Sequence, residues 1–282
     1  MPAAQMNEIV APAAASGRGV GAFNVIGIEH AEAIVAGAEA AGAPVVLQVS
    51  QNCVAYHGAL APLGRACATI AGSAAVPVAL HLDHATSTDL VREATGLGFG
   101  SVMYDASALA YDQNVRATAA VAHWCHEREI WVEAELGEIG GKDGVHAPHA
   151  RTDPDDAARY VDATEVDALA VAVGSSHAML TRDAVLDTEL IARIHDAVRV
   201  PLVLHGSSGV PDAALVAAIG AGMTKINVAT QLNKAFTAAV RDCLAADCSL
   251  VDPRRYGAAG RDAIAIEVAR LLRVIGAAPG RY

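Results

Sequence analysis

The apolar run PVALHLDHATS, Pro77–Ser87, closes on His81, Asp83 and His84, three ionisable side chains within four positions. Imidazoles bind metals and carry protons near neutral pH, and a carboxylate takes protons from hydroxyl groups held against it. Other apolar runs finish in the same way. Asn24, Ser50, Asp105, Glu135, His177, His205 and Asn227 each lie at or just past the end of a short β-branched segment. His84, His177 and His205 belong to three different segments, and three neutral imidazoles converging around an open fourth position would form a catalytic zinc site.

The segments that must carry these groups are regular. Strand-like runs occur at Val20–Val25, Pro44–Ser50, Val76–Asp83, Ser101–Asp105, Ile130–Leu136, Ala168–Gly174, Pro201–Gly206 and Lys225–Ala229. Between them lie Ala-rich stretches with helical spacing, such as His30–Ala41, Asp89–Leu97 and Asp212–Ile219. Several of these open on Asp, Ser or Thr and close on Gly, as capped helices do. Eight strand–helix units predict a parallel (β/α)8 TIM barrel, with a doubly wound open sheet as the alternative. The expectation is a single barrel domain over residues 1–282, with a C-terminal helical extension from about 250. At 282 residues and 53% hydrophobic content, the chain can bury one core of that size. In a barrel the C-terminal strand ends share one mouth, where active sites are built, so the polar strand ends would surround one site.

Charge narrows the partners. A net charge of −11 disfavours nucleic acid and anionic membranes, so any phosphate must be met locally. HGSSGV, with the Ser207 and Ser208 hydroxyls, offers a turn of backbone N–H groups. NVAT at Asn227–Thr230 opens a helix whose first amides favour an anion. No apolar stretch reaches the roughly 20 residues of a membrane span, and MPAAQMNEIV has no basic leader. The five scattered cysteines read as reduced thiols, and the expected location is the cytoplasm. The pairs His123/His126 and His146/His149 read as surface or loop residues, and His81 as a hydrogen-bond partner behind the site rather than a ligand.

Five segments in order, HLDHATSTDLVREA, VEAELGEIGG, AVAVGSSHAML, PLVLHGSSGVP and TKINVATQLNKAF, resemble the signature segments of class II, metal-dependent ketose-bisphosphate aldolases. This is the family of fructose-1,6-bisphosphate and tagatose-1,6-bisphosphate aldolases, and the similarity runs from about Val20 to about Ala263. The resemblance implies that His84, His177 and His205 hold Zn²⁺ and that Asp83 exchanges a proton with the substrate C4 hydroxyl. Asp105 and Glu135 match a second cation site, monovalent or divalent, or hold the metal as it moves. Asn24, Ser50, Ala178, Gly206, Ser207, Ser208, Asn227, Val228, Ala229 and Thr230 match positions lining the substrate. Arg254 matches an arginine that in some members reaches a phosphate in a neighbouring subunit, in a homodimer or homotetramer.

Zn²⁺ on the ketose half would spread the charge left when the C3–C4 bond breaks, so no Schiff-base lysine is required. Two positions depart from the family pattern. Ala178 stands where most members have Gly. The loop GGKDGVHAPHA carries Lys142 and a single acid, Asp143, where an acidic pair is usual, and Asp143 is the expected proton donor to C3. Fructose 1,6-bisphosphate is the favoured substrate, with tagatose bisphosphate or another ketose phosphate as alternatives. A non-catalytic sugar-phosphate-binding paralogue is the reading from another class. A metal-dependent hydrolase is weaker, because the first strand reads GAFNV and lacks an HxH pair.

Overall fold

The computed structural model describes residues 3–136, 151–175 and 181–276. Its eight strands are β1 Val20–Asn24, β2 Val45–Ser50, β3 Val78–Ala85, β4 Ser101–Tyr104, β5 Trp131–Glu135, β6 Ala168–Ala170, β7 Leu202–Leu204 and β8 Met223–Val228. They pair in sequence order, all parallel, and β8 returns to β1 to close a barrel. The (β/α)8 expectation is met, and the open doubly wound sheet is excluded.

The helices among the described residues are α1 Met6–Ala15, α2 Ile28–Ala41, α3 Gln51–His57, α4 Ala61–Ser73, α5 Thr88–Gly96, α6 Tyr111–His126, α7 Pro154–Thr164, α8 Thr188–Ala197, α9 Asp212–Gly220, α10 Thr230–Ala246 and α11 Pro253–Val274. None is long and apolar enough to cross a membrane. α11 packs against α2 and α10, completing the outer layer beside β1.

Strand alternation divides the core in two. Phe23, Leu47, Leu80, Val102, Val132, Leu169, Leu204 and Ile226 face the helices and belong to one large apolar cluster. The intervening residues face the barrel interior. Near its N-terminal end that interior is apolar, with Val20, Ala22, Val46 and Ala79 packed under Met6, Ile9, Val10 and Ala13 of α1. α1 therefore plugs the floor. Trp131 packs against this group and against Ala168, Ala170 and Val203. Toward the C-terminal end the same inward positions become polar, as Gln48, His81, Glu133 and Lys225 and then Asn24, Asp83, Glu135, His205 and Asn227.

Of the strand boundaries that differ from expectation, two have clear local reasons. β6 stops at Ala170 because the backbone of Ala172 bonds to Thr152, which donates N–H to the Ala172 carbonyl at 2.9 Å and accepts from Ala172 at its hydroxyl at 2.8 Å. β3 runs on through His84 to Ala85 by means of a bulge. Leu82 pairs with Val102 and Ala85 with Tyr104, so Asp83 and His84 together stand opposite the single residue Met103.

Because α1 closes the floor away from the polar mouth, damage there should separate stability from activity. Met6 is fully buried, and Met6→Ala is expected to cost about 2–5 kcal/mol of stability. Thermal unfolding should shift down while kcat at 25 °C stays parental.

Candidate active site

The bulge at the end of β3 is what assembles the site. Consecutive residues in a regular strand point to opposite sides, so Asp83 and His84 could not both serve one mouth. His84 adopts a left-handed backbone with φ of +50°. Non-glycine residues enter that region at a cost, and such conformations persist where the surroundings enforce them. Asp83 and His84 accordingly line one cavity of about 160 Å³ with Asn24, Gln48, Ser50, Asn52, Gly206, Ser208, Asn227, Ala229 and Thr230.

His84, Glu135 and His205, from the ends of β3, β5 and β7, offer ligand atoms that all lie within 4.8 Å of one another. The His84 and His205 rings meet edge to face with centroids 4.8 Å apart. His84 Nδ1 lies 2.8 Å from Asp105 Oδ2, and the other Asp105 oxygen accepts from the backbone and hydroxyl of Ser107 at 3.1 and 2.6 Å. Both Asp105 oxygens are thus engaged, and the residue orients an imidazole. His205 Nε2 lies 3.0 Å from Glu133 Oε1, and its Nδ1 lies 3.4 Å from Glu135 Oε2. His84 has a carboxylate against one ring nitrogen and His205 has one against each, and a carboxylate on a ring nitrogen fixes ring orientation and raises basicity in metal-binding histidines.

The charges follow from this crowding. Burial would lower the His205 pKa, but the carboxylates of Glu133 and Glu135 push it up to about 10. Burial likewise opposes charge on His84, and Asp83 and Asp105 outweigh it and raise its pKa. For Asp83, burial favours the neutral acid, yet His84, His205 and Lys225 together hold the carboxyl below its ordinary value. Asp83 is thus a carboxylate at neutral pH. Its Oδ2 accepts from Asn24 Nδ2 at 2.9 Å, while Oδ1 is buried with no hydrogen-bond partner among the described residues. A buried carboxylate oxygen without a donor suits a proton acceptor.

At the ends of β7 and β8 the cavity has no lysine or arginine in its described lining. Gly206 turns the chain with φ of +66° into a 3₁₀ turn, Ser207–Gly209. Ser207 donates its hydroxyl to the Asn227 carbonyl, tying the two loops together. Ser208 Oγ accepts from the backbone N–H groups of Ala229 and Gln231 at 3.4 and 3.2 Å, capping α10 from the neighbouring loop. Val228 is buried in the apolar cluster that faces the helices.

Residues 4–279 match the family described as fructose-bisphosphate aldolase class-II. The chain belongs to the class II fructose-bisphosphate aldolases. Within that family, the fructose-bisphosphate aldolase of Geobacillus stearothermophilus is 38% identical over 280 residues, covering 98% of each chain. The YdjI aldolase from Escherichia coli K12 superposes with a TM-score of 0.86 at 30% identity, covering 98% of both chains. A putative fructose-1,6-bisphosphate aldolase from Coccidioides immitis gives 0.86 at 28% identity, covering 97% of this chain and 96% of that one. The chain is an aldolase, a carbon–carbon lyase.

Not every expected residue of this aldolase meets at the mouth. Asn24, Ser50, Asp83, His84, Gly206, Ser208, Asn227, Ala229 and Thr230 do. Ser50 spends its hydroxyl capping α3, accepting from Cys53 N at 3.2 Å. The Arg254 side chain is exposed and paired with Asp252 at 2.8 Å at the start of α11. His177, Ala178 and Asp143, with Lys142, His146 and His149, lie outside the described residues. His126 bonds Asp167 at 3.0 Å on the outer layer, away from the mouth. Sequence reading missed Glu133, Lys225 and Gln48, which occupy the interior two residues before Glu135, Asn227 and Ser50. The signal was available: polar residues at inward positions of buried strands.

The proton on His205 gives a pH test of metal binding. Imidazole ligands must be neutral, and a pKa of about 10 means that His205 is protonated at pH 7 without metal. Zn²⁺ binding at pH 7 should therefore release at least that proton, and affinity should rise as pH increases toward 10. Calorimetry in buffers of different ionisation enthalpy measures the release. A pH-independent affinity would contradict the site.

Proposed function

We propose that this class II aldolase is zinc-dependent and cleaves a ketose 1,6-bisphosphate, with fructose 1,6-bisphosphate favoured, reversibly to dihydroxyacetone phosphate and an aldehyde phosphate. The observation that carries the reading is the convergence of His84, Glu135 and His205 within 4.8 Å beside the buried carboxylate of Asp83. The donor set fits the ion: two imidazoles and a carboxylate suit Zn²⁺, and the carboxylates already hold positive charge there as protonated histidine. His84 and His205 would hold it with His177, and Glu135 and Asp105 would serve a second cation or the metal in another position. When bound, Zn²⁺ supplies a Lewis acid for the charge that develops on the ketose half.

The chain's own groups do the rest. Asp83 accepts the C4 hydroxyl proton as the O–H electrons form the new carbonyl and the C3–C4 bond breaks. In condensation it returns that proton. Asn24 fixes one Asp83 oxygen and leaves the other for the proton. The 3₁₀ turn at Ser207–Gly209 and the first turn of α10 meet phosphate through backbone N–H groups and hydroxyls, which suits a chain of net charge −11. Asp143 is proposed to return a proton to C3. The relatives named for fructose bisphosphate support the substrate. The polar lining of the mouth suits a small polar substrate. A cytoplasmic homodimer or homotetramer, with Arg254 serving the neighbouring subunit, completes the reading.

Two measurements test it. Asp83→Asn keeps the shape and should retain zinc while lowering kcat by about 10²–10⁴-fold. Across fructose, tagatose and deoxyketose phosphates, fructose 1,6-bisphosphate should give the highest kcat/KM, and chelator should abolish cleavage. Full activity in chelator, or a parental rate for Asp83→Asn, would overturn the proposal.

A further inference from the structure

Lys225 and Glu133 form an ion pair at 2.8 Å in the barrel interior, both fully buried beneath the rim. Such a pair is weak evidence for stability, because desolvating two charges offsets most of their attraction. Its connections suggest another use. An ammonium is a donor only, with three N–H groups. Those of Lys225 face Glu133 Oε2 at 2.8 Å, Asn227 Oδ1 at 2.8 Å and Gln48 Oε1 at 3.4 Å. Two of these acceptors lead on to the reacting groups.

The first path runs through amides. Because Lys225 takes the oxygen of Gln48, the Gln48 NH2 faces Asn24 and donates to its Oδ1 at 2.7 Å. Asn24 must then present its own NH2 to Asp83 Oδ2, at 2.9 Å. An amide can be rotated end for end, but a chain of two amides anchored on a donor-only group has one polarity. The ammonium thus anchors, from the far end, the same polarity that the acceptor-only Asp83 carboxylate requires, and Asp83 receives a donor on one oxygen. The second path runs through Glu133, whose other oxygen lies 3.0 Å from His205 Nε2. A carboxylate accepts, so Nε2 carries the hydrogen and Nδ1, on the Glu135 side, is the nitrogen turned to the metal site.

We propose that Lys225 is a positioning residue that sets both the hydrogen-bond polarity delivered to Asp83, through Gln48 and Asn24, and the ring tautomer of His205, through Glu133. One buried charge aligns the proton acceptor and a metal ligand on opposite sides of the mouth. Its metal path rests on the zinc-dependent reading above.

The test uses the neutral-core variant Lys225→Met/Glu133→Gln, which leaves no uncompensated buried charge, and Gln48→Leu, which cuts only the amide path. In the double variant Zn²⁺ affinity, measured by chelator competition, should fall about 10–100-fold. Its kcat at saturating Zn²⁺ should fall on the order of 10²-fold with KM little changed, as expected for a misplaced reacting group. Gln48→Leu should lose kcat while keeping parental Zn²⁺ affinity. Melting temperatures of the metal-free proteins serve as the control for a merely structural role, which would move them without moving affinity or kcat. A folded double variant with parental affinity or parental kcat overturns the proposal, as does parental kcat in Gln48→Leu, which decides the amide path even if the double variant does not fold. Chelator treatment of the parent separates the two readings. A parent indifferent to chelator refutes the zinc site itself, whereas a chelator-sensitive parent whose variants behave as parental refutes the role of Lys225.

Discussion

Everything at the mouth depends on one departure from strand alternation. A closed parallel barrel sends every second residue inward, which allows each strand end one functional side chain. The proposed chemistry needs two from β3, a proton acceptor and a metal ligand side by side. The bulge between Leu82 and Ala85, with His84 at φ of +50°, supplies the second inward position without breaking the pairing to β4. Asp105, just beyond β4, then anchors the displaced imidazole through a 2.8 Å contact to His84 Nδ1. The carboxylate therefore helps hold both the ring and the unusual backbone in place.

The interior is graded along the barrel axis, and the gradient serves the chemistry. An apolar floor sealed by α1 excludes water from below. Above it, the Lys225–Glu133 pair and His81 sit with no access to solvent, and burial with the Lys225 charge lowers the His81 pKa to about 3. His81 is consequently neutral over the working range and contributes fixed dipoles rather than charge, bonding Ser101 through Nδ1. Positive charge is concentrated one layer higher, on the imidazoles surrounded by Asp83, Asp105 and Glu135. On the proposed reading, an acidic protein would handle an anionic substrate by keeping its cationic chemistry at one spot and meeting phosphate with backbone amides at Gly206–Ser208 and the start of α10.

The repeating strands were legible because β-branched runs separated by Ala-rich helices admit few architectures, and the rim because polar residues ended those runs. The β3 bulge was not legible: hydropathy alone ends that strand at Asp83, and nothing in the residue types of DHA announces a left-handed histidine. α1 was also hidden, since MNEIVAPAAA carries Pro12 and a weak apolar stripe, and its burial comes from the barrel floor it covers. Lys225 and Glu133 passed as ordinary strand content, although a lysine in KINVA at an inward position has to find a buried acid. Ser50 and Arg254 show the converse. Their types suit ligand binding, yet within this chain they cap α3 and pair with Asp252.

The central claim is that the rim of this barrel holds a catalytic zinc ion beside Asp83. Anomalous diffraction at the zinc edge from crystals of the metal-loaded enzyme tests it most directly. The expected result is a single strong peak about 2.0–2.1 Å from nitrogens of His84 and His205. A peak elsewhere on the protein, or crystals of active enzyme with no anomalous density between β3 and β7, would contradict the account.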